Sequence, residues 1–207
     1  MDRRDFLSTV AAVPFFKPFA SIEFGLNPQT HEQLTGLIER LDHSDEYVRQ
    51  EAAVEIALGE FGDTASQAIP VFLERVQSTA VTFHDRALAA WALPHIGAEG
   101  DQVVPILLGV LDEVSTQEEA QLRWCAVESI RRLTNEVGIL VPLAQRCMRD
   151  SCWKCQMVGL FVANGLIDQN AALRPAFLAY AGPLMSAELD EIREEAQRIV
   201  FGSQKNE

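Results

Sequence analysis

Cys152 and Cys155 stand three residues apart in the stretch CWKC, directly after Asp150 and Ser151. Aspartate followed by serine reads as a helix N-cap, so both thiols fall in the first turn and on one face. The helix dipole there favours thiolate over thiol, and the spacing suits a redox dithiol, or a disulfide if the chain reaches an oxidising compartment. A zinc site would recruit Cys147, with Cys125 or a histidine as fourth ligand, but a single CxxC supports that weakly. Purely structural thiols are the third alternative. His31, His43, His84 and His95 show no helical metal-ligand spacing, and no Ser/His/Asp set or glycine-rich phosphate loop is present. No catalytic residue, metal or cofactor is therefore assigned, and the protein is read as non-enzymatic.

The elements that position these cysteines repeat along the chain. An arginine, a small residue three places on and an aliphatic residue seven places on recur as Arg49/Ala52/Ile56, Arg86/Ala89/Leu93, Arg123/Ala126/Ile130 and Arg193/Ala196/Val200, with a degraded copy at Lys154/Met157/Phe161. Arg49, Arg86 and Arg123 are 37 residues apart, and Arg193 follows 70 later. On a helix, positions three and seven past the arginine share one face. A second motif, an aliphatic run around Pro70, Pro105, Pro142 or Pro175, marks a helix start, because proline's missing N–H costs nothing in a first turn. Gly62, Gly97 and Gly138 read as stops for the arginine-bearing helices. Each unit is thus a shorter A helix, a turn and a B helix, and a period near 36 residues signals a helical solenoid.

These residues resemble HEAT repeats, specifically the short bacterial type also seen in phycobilin lyase-like proteins. LIERLDHSDEYVRQEAAVEI and DRALAAWALPHIG follow that pattern closely, and the likeness extends over about residues 32–202. It implies an all-α, right-handed α-solenoid of about five HEAT-like helical hairpins over residues 31–204. It also implies a protein-protein interaction or scaffold module whose concave face, lined by B helices, binds a partner. In such stacks the B-helix arginine pairs with turn aspartates, for which Asp42, Asp45 and Asp85 are available. The alternative is a lyase-like or redox enzyme, or enzyme subunit, using Cys152 or Cys155 on the same scaffold. The thioredoxin kind of dithiol needs a βαβ setting that an all-helical chain lacks.

Five residues past each arginine the side chain points away from the buried stripe, at Val54, Trp91, Glu128, Gly159 and Arg198. Trp91 and Trp124 on adjacent B helices are expected to flank one patch, with His95, Glu128 and Arg132 on the same side; aromatic and arginine side chains are enriched at binding hot spots. Glu99, Asp101, Asp112, Glu113, Glu118 and Glu119 fall at both ends of the third A helix without an intervening cation, so acidic rims would favour a cationic protein or peptide partner.

Composition sets the outer bounds. Thirty acidic against 17 basic residues give a net charge of −13, which repels phosphate backbones and argues against nucleic acid. Hydrophobic residues make up 48%, enough for a core, and no apolar run has membrane-spanning length. DRRDFLSTVAAVPFFKPFA at the start resembles a twin-arginine export signal, with Arg3 and Arg4 as the pair. That resemblance implies export and a periplasmic location. The competing expectation for residues 1–30 is an arm whose Phe15, Phe16, Phe19 and Phe24 cover the end of the fold, in a cytoplasmic protein.

Overall fold

The structure, a computed structural model, describes residues 31–202; the twin-arginine-like stretch and its phenylalanines lie outside the described residues. Ten α-helices pair into five antiparallel hairpins, and no strand occurs among the described residues. The helices are α1 (His31–Arg40), α2 (Glu46–Leu58), α3 (Ile69–Gln77), α4 (Phe83–Ala92), α5 (Gly100–Glu113), α6 (Ala120–Leu133), α7 (Val137–Met148), α8 (Trp153–Gln169), α9 (Pro175–Leu184) and α10 (Asp190–Phe201). Odd-numbered helices form the A layer and even-numbered helices the B layer. The fold is an all-α helical solenoid. Neighbouring B helices pack more closely than neighbouring A helices do, which places the B layer on the inside of the bend.

Local chemistry explains most boundaries. Asp45 caps α2 by accepting from the Tyr47 N–H. Thr82 and Asp85 make a reciprocal cap on α4: the Asp85 N–H donates to the Thr82 hydroxyl, which donates to the Asp85 carboxylate. Gly97 closes the 3-10 turn Leu93–Ile96 with φ 78°, the left-handed conformation that glycine adopts without a Cβ penalty. Three expectations about stops and starts need correction. Gly62 opens the 3-10 helix Gly62–Ala68 rather than ending α2, which stops at Leu58 with Gly59 as its cap. Gly138 lies in the first turn of α7 rather than ending α6, which stops at Leu133. Pro105 and Pro142 sit inside α5 and α7, because each helix begins about one turn earlier. The carbonyls deprived of a donor, at Asp101 and Gly138, belong to exposed residues, so water can satisfy them.

The repeated phrase builds the core as its spacing requires. Ala52, Ala89, Ala126 and Ala196 are buried, as are Ile56, Leu93 and Ile130 four residues later. Phe72 and Phe177 from the A layer fill the spaces between hairpins. In the centre of the stack α6 is enclosed on every side: Leu122 through Ile130 are all buried. Its Ser129 hydroxyl donates to the Ala90 carbonyl on α4 at 2.7 Å, which the close approach of two alanine-rich surfaces permits.

The tightest hairpin is α7–α8, the most intimately packed pair in the stack. A Cβ added at Gly159 would stand 2.8 Å from the Cys147 Cβ and 2.9 Å from the Ala144 carbonyl oxygen. Gly165, in the same helix, has nothing within 4 Å of the equivalent point. Gly159→Ala is therefore expected to lose about 1–3 kcal/mol through overpacking. Gly165→Ala should gain up to about 1 kcal/mol from helix propensity. Urea unfolding of the two variants measures the difference, whose sign is opposite at the two sites.

Candidate functional site

The B-helix arginines, buried at Arg86 and Arg123 and more open at Arg49 and Arg193, lie among carbonyls and carboxylates that accept from them. Arg49 donates to the His43 and Ser44 carbonyls of its own A–B turn and pairs with Asp85 of the next B helix at 3.1 Å. Arg123 repeats this two stations later: it bonds the Thr116 carbonyl of its own turn and grips both oxygens of Asp150 at 2.9 and 3.0 Å. Asp85 and Asp150 are thus the turn carboxylates that matter, whereas Asp42 is taken by Arg75 of α3 and Asp45 caps its own helix. A second series runs along the A layer, where Arg75 donates to the Leu41 carbonyl and Arg146 to the Leu111 carbonyl, each also pairing with the following aspartate. Arg86 caps the Val76 carbonyl at 2.9 Å and lies 3.8 Å from Glu113.

The series changes at the fourth hairpin. Lys154 replaces the arginine and turns back, its Nζ lying 4.8 Å from the centre of the Trp124 ring and 5.8 Å from that of Trp153. The fifth hairpin is instead held farther along α8, where the Asn164 amide donates to the Glu195 carboxylate at 2.8 Å, and on the A side by Gln145 donating to the Ala176 carbonyl. The position just before the phrase residue is buried at Asp85, Leu122 and Ile192 and half-buried at Val48. In the fourth it is Trp153, 47% exposed.

A groove of about 750 Å³ opens there. Trp153, Met157 and Phe161 of α8 form one wall; Leu189 and Ile192 face them, and Glu188 and Glu191 contribute carboxylates. Leu189 is 40% exposed. Sequence reasoning missed this site. The signal was the i, i+4, i+8 spacing of Trp153, Met157 and Phe161, visible only as the worst copy of the repeat.

The expected B-layer patch is only partly assembled. Trp91 and His95 are in ring contact at 4.5 Å between centroids. His95 Nδ1 lies 2.9 Å from the Trp91 carbonyl and Nε2 lies 3.0 Å from an Arg132 nitrogen, so Nδ1–H donates and Nε2 accepts. Arg132 and Arg131 both donate to Glu128. Burial pushes the Glu128 carboxyl up, but the two guanidiniums outweigh it and hold the group below its ordinary value. Burial pulls His95 down, with Arg132 adding to the effect. Trp124 does not flank Trp91: its ring is buried beneath Lys154. Val54, Glu128 and Gly159 are likewise buried, because B helices are covered by neighbours on both sides and carry more than one apolar stripe.

The six acids lie at the two ends of α5 as expected, but half are committed internally. Asp112 pairs with Arg146 at 2.5 Å, Glu113 faces Arg86, and Glu119 accepts from the Ser115 and Thr116 N–H groups at 2.8 Å. Glu99, Asp101 and Glu118 stand exposed.

All four cysteines are free thiols. Cys152, rather than Asp150 or Ser151, is the N-cap of α8, and Asp150 accepts its N–H at 2.7 Å. The Cys155 thiol donates to Cys152, and this bond, reinforced against burial by the Cys155 and Lys154 N–H groups, brings Cys152 from 9.0 down to about 6. Burial pushes Cys125 and Cys147 up to about 12. Among the described residues no group of three or more His, Cys, Asp or Glu side chains is arranged to hold a metal ion, and no helix is long and apolar enough to cross a membrane.

Residues 34–122 match the family model of the HEAT repeats. The all-helical stack as a whole is consistent with a HEAT-type helical solenoid. The match begins in α1 and stops just short of Arg123, so the HEAT-like hairpins that it covers are those with the Arg49 and Arg86 phrases. No curated protein and no solved structure matches the chain.

Three outcomes follow from these polar groups. Arg123→Ala leaves the Asp150 carboxylate without its guanidinium and should cost about 3–5 kcal/mol in urea unfolding. Arg40→Ala, at a half-exposed pair with Glu51, should cost no more than about 1 kcal/mol. His95 has a folded pKa below its ordinary 6.5, so its contribution is complete above that value and is lost as pH falls through it. Comparing unfolding midpoints at pH 7.5 and 5.5, the wild type should lose more stability than His95→Gln.

Proposed function

We propose that this HEAT-type solenoid is a protein-interaction scaffold that takes a basic protein segment carrying an apolar anchor. The groove between α8 and the α9–α10 turn carries this reading. It presents Trp153 and Leu189 to solvent, and its acidic contributions are Glu188 and Glu191. An apolar trough favours an aromatic or aliphatic side chain, and two carboxylates beside it, on a chain of net charge −13, favour lysine or arginine in the flanks. Tryptophan supplies a large contact area at small entropic cost, which suits an anchor pocket.

The B-layer residues named from sequence play a narrower part in this reading. Glu128 is engaged by Arg131 and Arg132, and Trp124 by Lys154, leaving the half-buried Trp91 ring and the outer edge of Arg132 as surface for a longer segment. Glu99, Asp101 and Glu118 extend the negative field toward such a segment.

Selection of displayed random peptides on the full chain tests the proposal. Enriched sequences should pair one or two large apolar residues with flanking Lys or Arg. Their binding should fall at least tenfold in Trp153→Ala and in Leu189→Ala, with smaller losses in Trp91→Ala, and should weaken as salt rises. Enrichment of acidic peptides, or binding indifferent to both groove variants, would overturn it.

A further inference from the structure

The cysteines at the start of α8 are unused by any peptide-binding role, and their arrangement is asymmetric. Cys152 occupies the N-cap, where the positive end of the helix dipole favours its thiolate, and a small part of its surface is open. Cys155, one turn on, is completely buried and hydrogen-bonds to Cys152. The nearest carboxylate, Asp150, would oppose a thiolate, but Arg123 binds both of its oxygens and largely cancels its charge. We propose that Cys152 and Cys155 form a thiol–disulfide exchange couple, with Cys152 the attacking thiolate, Cys155 the resolving thiol and a low-molecular-weight disulfide as oxidant.

The balance is simple. The Cys152 thiolate attacks one sulfur of the disulfide, forming a mixed disulfide and releasing one thiolate, which takes up a proton. Cys155 then loses its proton and attacks the Cys152 sulfur, closing the intramolecular disulfide and releasing the second thiol. The protein loses two electrons and the small disulfide becomes two thiols. The structure supplies the order of events. The bond to Cys152, then burial, then the Cys152 charge hold the proton on Cys155. Once Cys152 is in mixed disulfide its charge is gone, and the first and last of these holds disappear. Cys147 lies within electrostatic reach of Cys152 and Cys155, but burial, the largest influence on it and on Cys125, keeps both protonated.

The inference is independent of the peptide-binding reading, and the full-length chain tests it. Equilibration with mixtures of reduced and oxidised glutathione, acid quenching, alkylation and peptide mass spectrometry should find one disulfide, Cys152–Cys155, with Cys125 and Cys147 alkylated throughout. Cys155→Ser should accumulate glutathione on Cys152, whereas Cys152→Ser should leave Cys155 unmodified while circular dichroism stays native. In the reduced wild type, iodoacetamide should label Cys152 at pH 7 at least tenfold faster than any other cysteine. A folded protein whose Cys152 stays reduced in excess oxidised glutathione would overturn the proposal. So would a disulfide to Cys147, or equal labelling of Cys152 and Cys155. Leu189→Ala should leave the exchange unchanged while weakening peptide binding, which separates the two ideas.

Discussion

The structure depends on arginines, buried at Arg75 and Arg123 and more open at Arg49 and Arg146, whose guanidiniums tie the carbonyls at hairpin turns to a neighbouring carboxylate. A helical hairpin that stacks on its neighbour encloses the residues at the end of its A helix, such as Leu41 and Leu111, whose carbonyls are costly when unpaired, whereas the turn carbonyls at His43, Ser44 and Thr116 belong to exposed residues. Arg49 and Arg123 fix the turn of their own hairpin through its carbonyls and reach onward to a carboxylate of the next, at Asp85 and Asp150. Arg75 and Arg146 reach backward along the A layer to the enclosed Leu41 and Leu111 carbonyls. Each arginine therefore fixes how one hairpin sits on another, while apolar burial supplies most of the stabilisation. This division explains why a positive charge persists at the edge of an alanine-rich buried face.

Where the arrangement changes, a surface appears. Lys154 has no planar fork with which to bridge turn carbonyls and a carboxylate, and it folds back over Trp124. The fifth hairpin is then anchored farther along, through Asn164 and Glu195, and the first two turns of α8 stand away from the α9–α10 turn. The groove is the space left by that displacement. The same helix start carries the dithiol, so α8 concentrates both chemical features of the molecule at the hairpin that departs most from the repeat.

The repeat made much of this legible. Spacing alone located the five B helices and identified Ala52, Ile56, Ala89, Leu93, Ala126 and Ile130 as interior. Helix starts were less readable at Pro105 and Pro142, because a proline one turn inside a helix leaves an exposed carbonyl that water can satisfy, and the pattern gives no sign of the extra turn. The site was hardest to read. A single-stripe picture turns Glu128 and Trp124 toward solvent, whereas a B helix enclosed by two neighbours and its own A helix has almost no free face. His95, Arg132 and Glu128 did come together around Trp91, since residues one turn apart on adjacent helices must meet. The groove escaped notice because it arises from a mismatch between hairpins, and a mismatch has no motif.

Amide hydrogen exchange of the full chain, with and without a saturating peptide of aromatic and lysine residues, tests the central claim most directly. Slowed exchange in residues 183–192 and the first two turns of α8, with α2 and α4 unaffected, is the result this account predicts. Slowing centred on α4 and α6 around Trp91, with residues 183–192 unchanged, would contradict it.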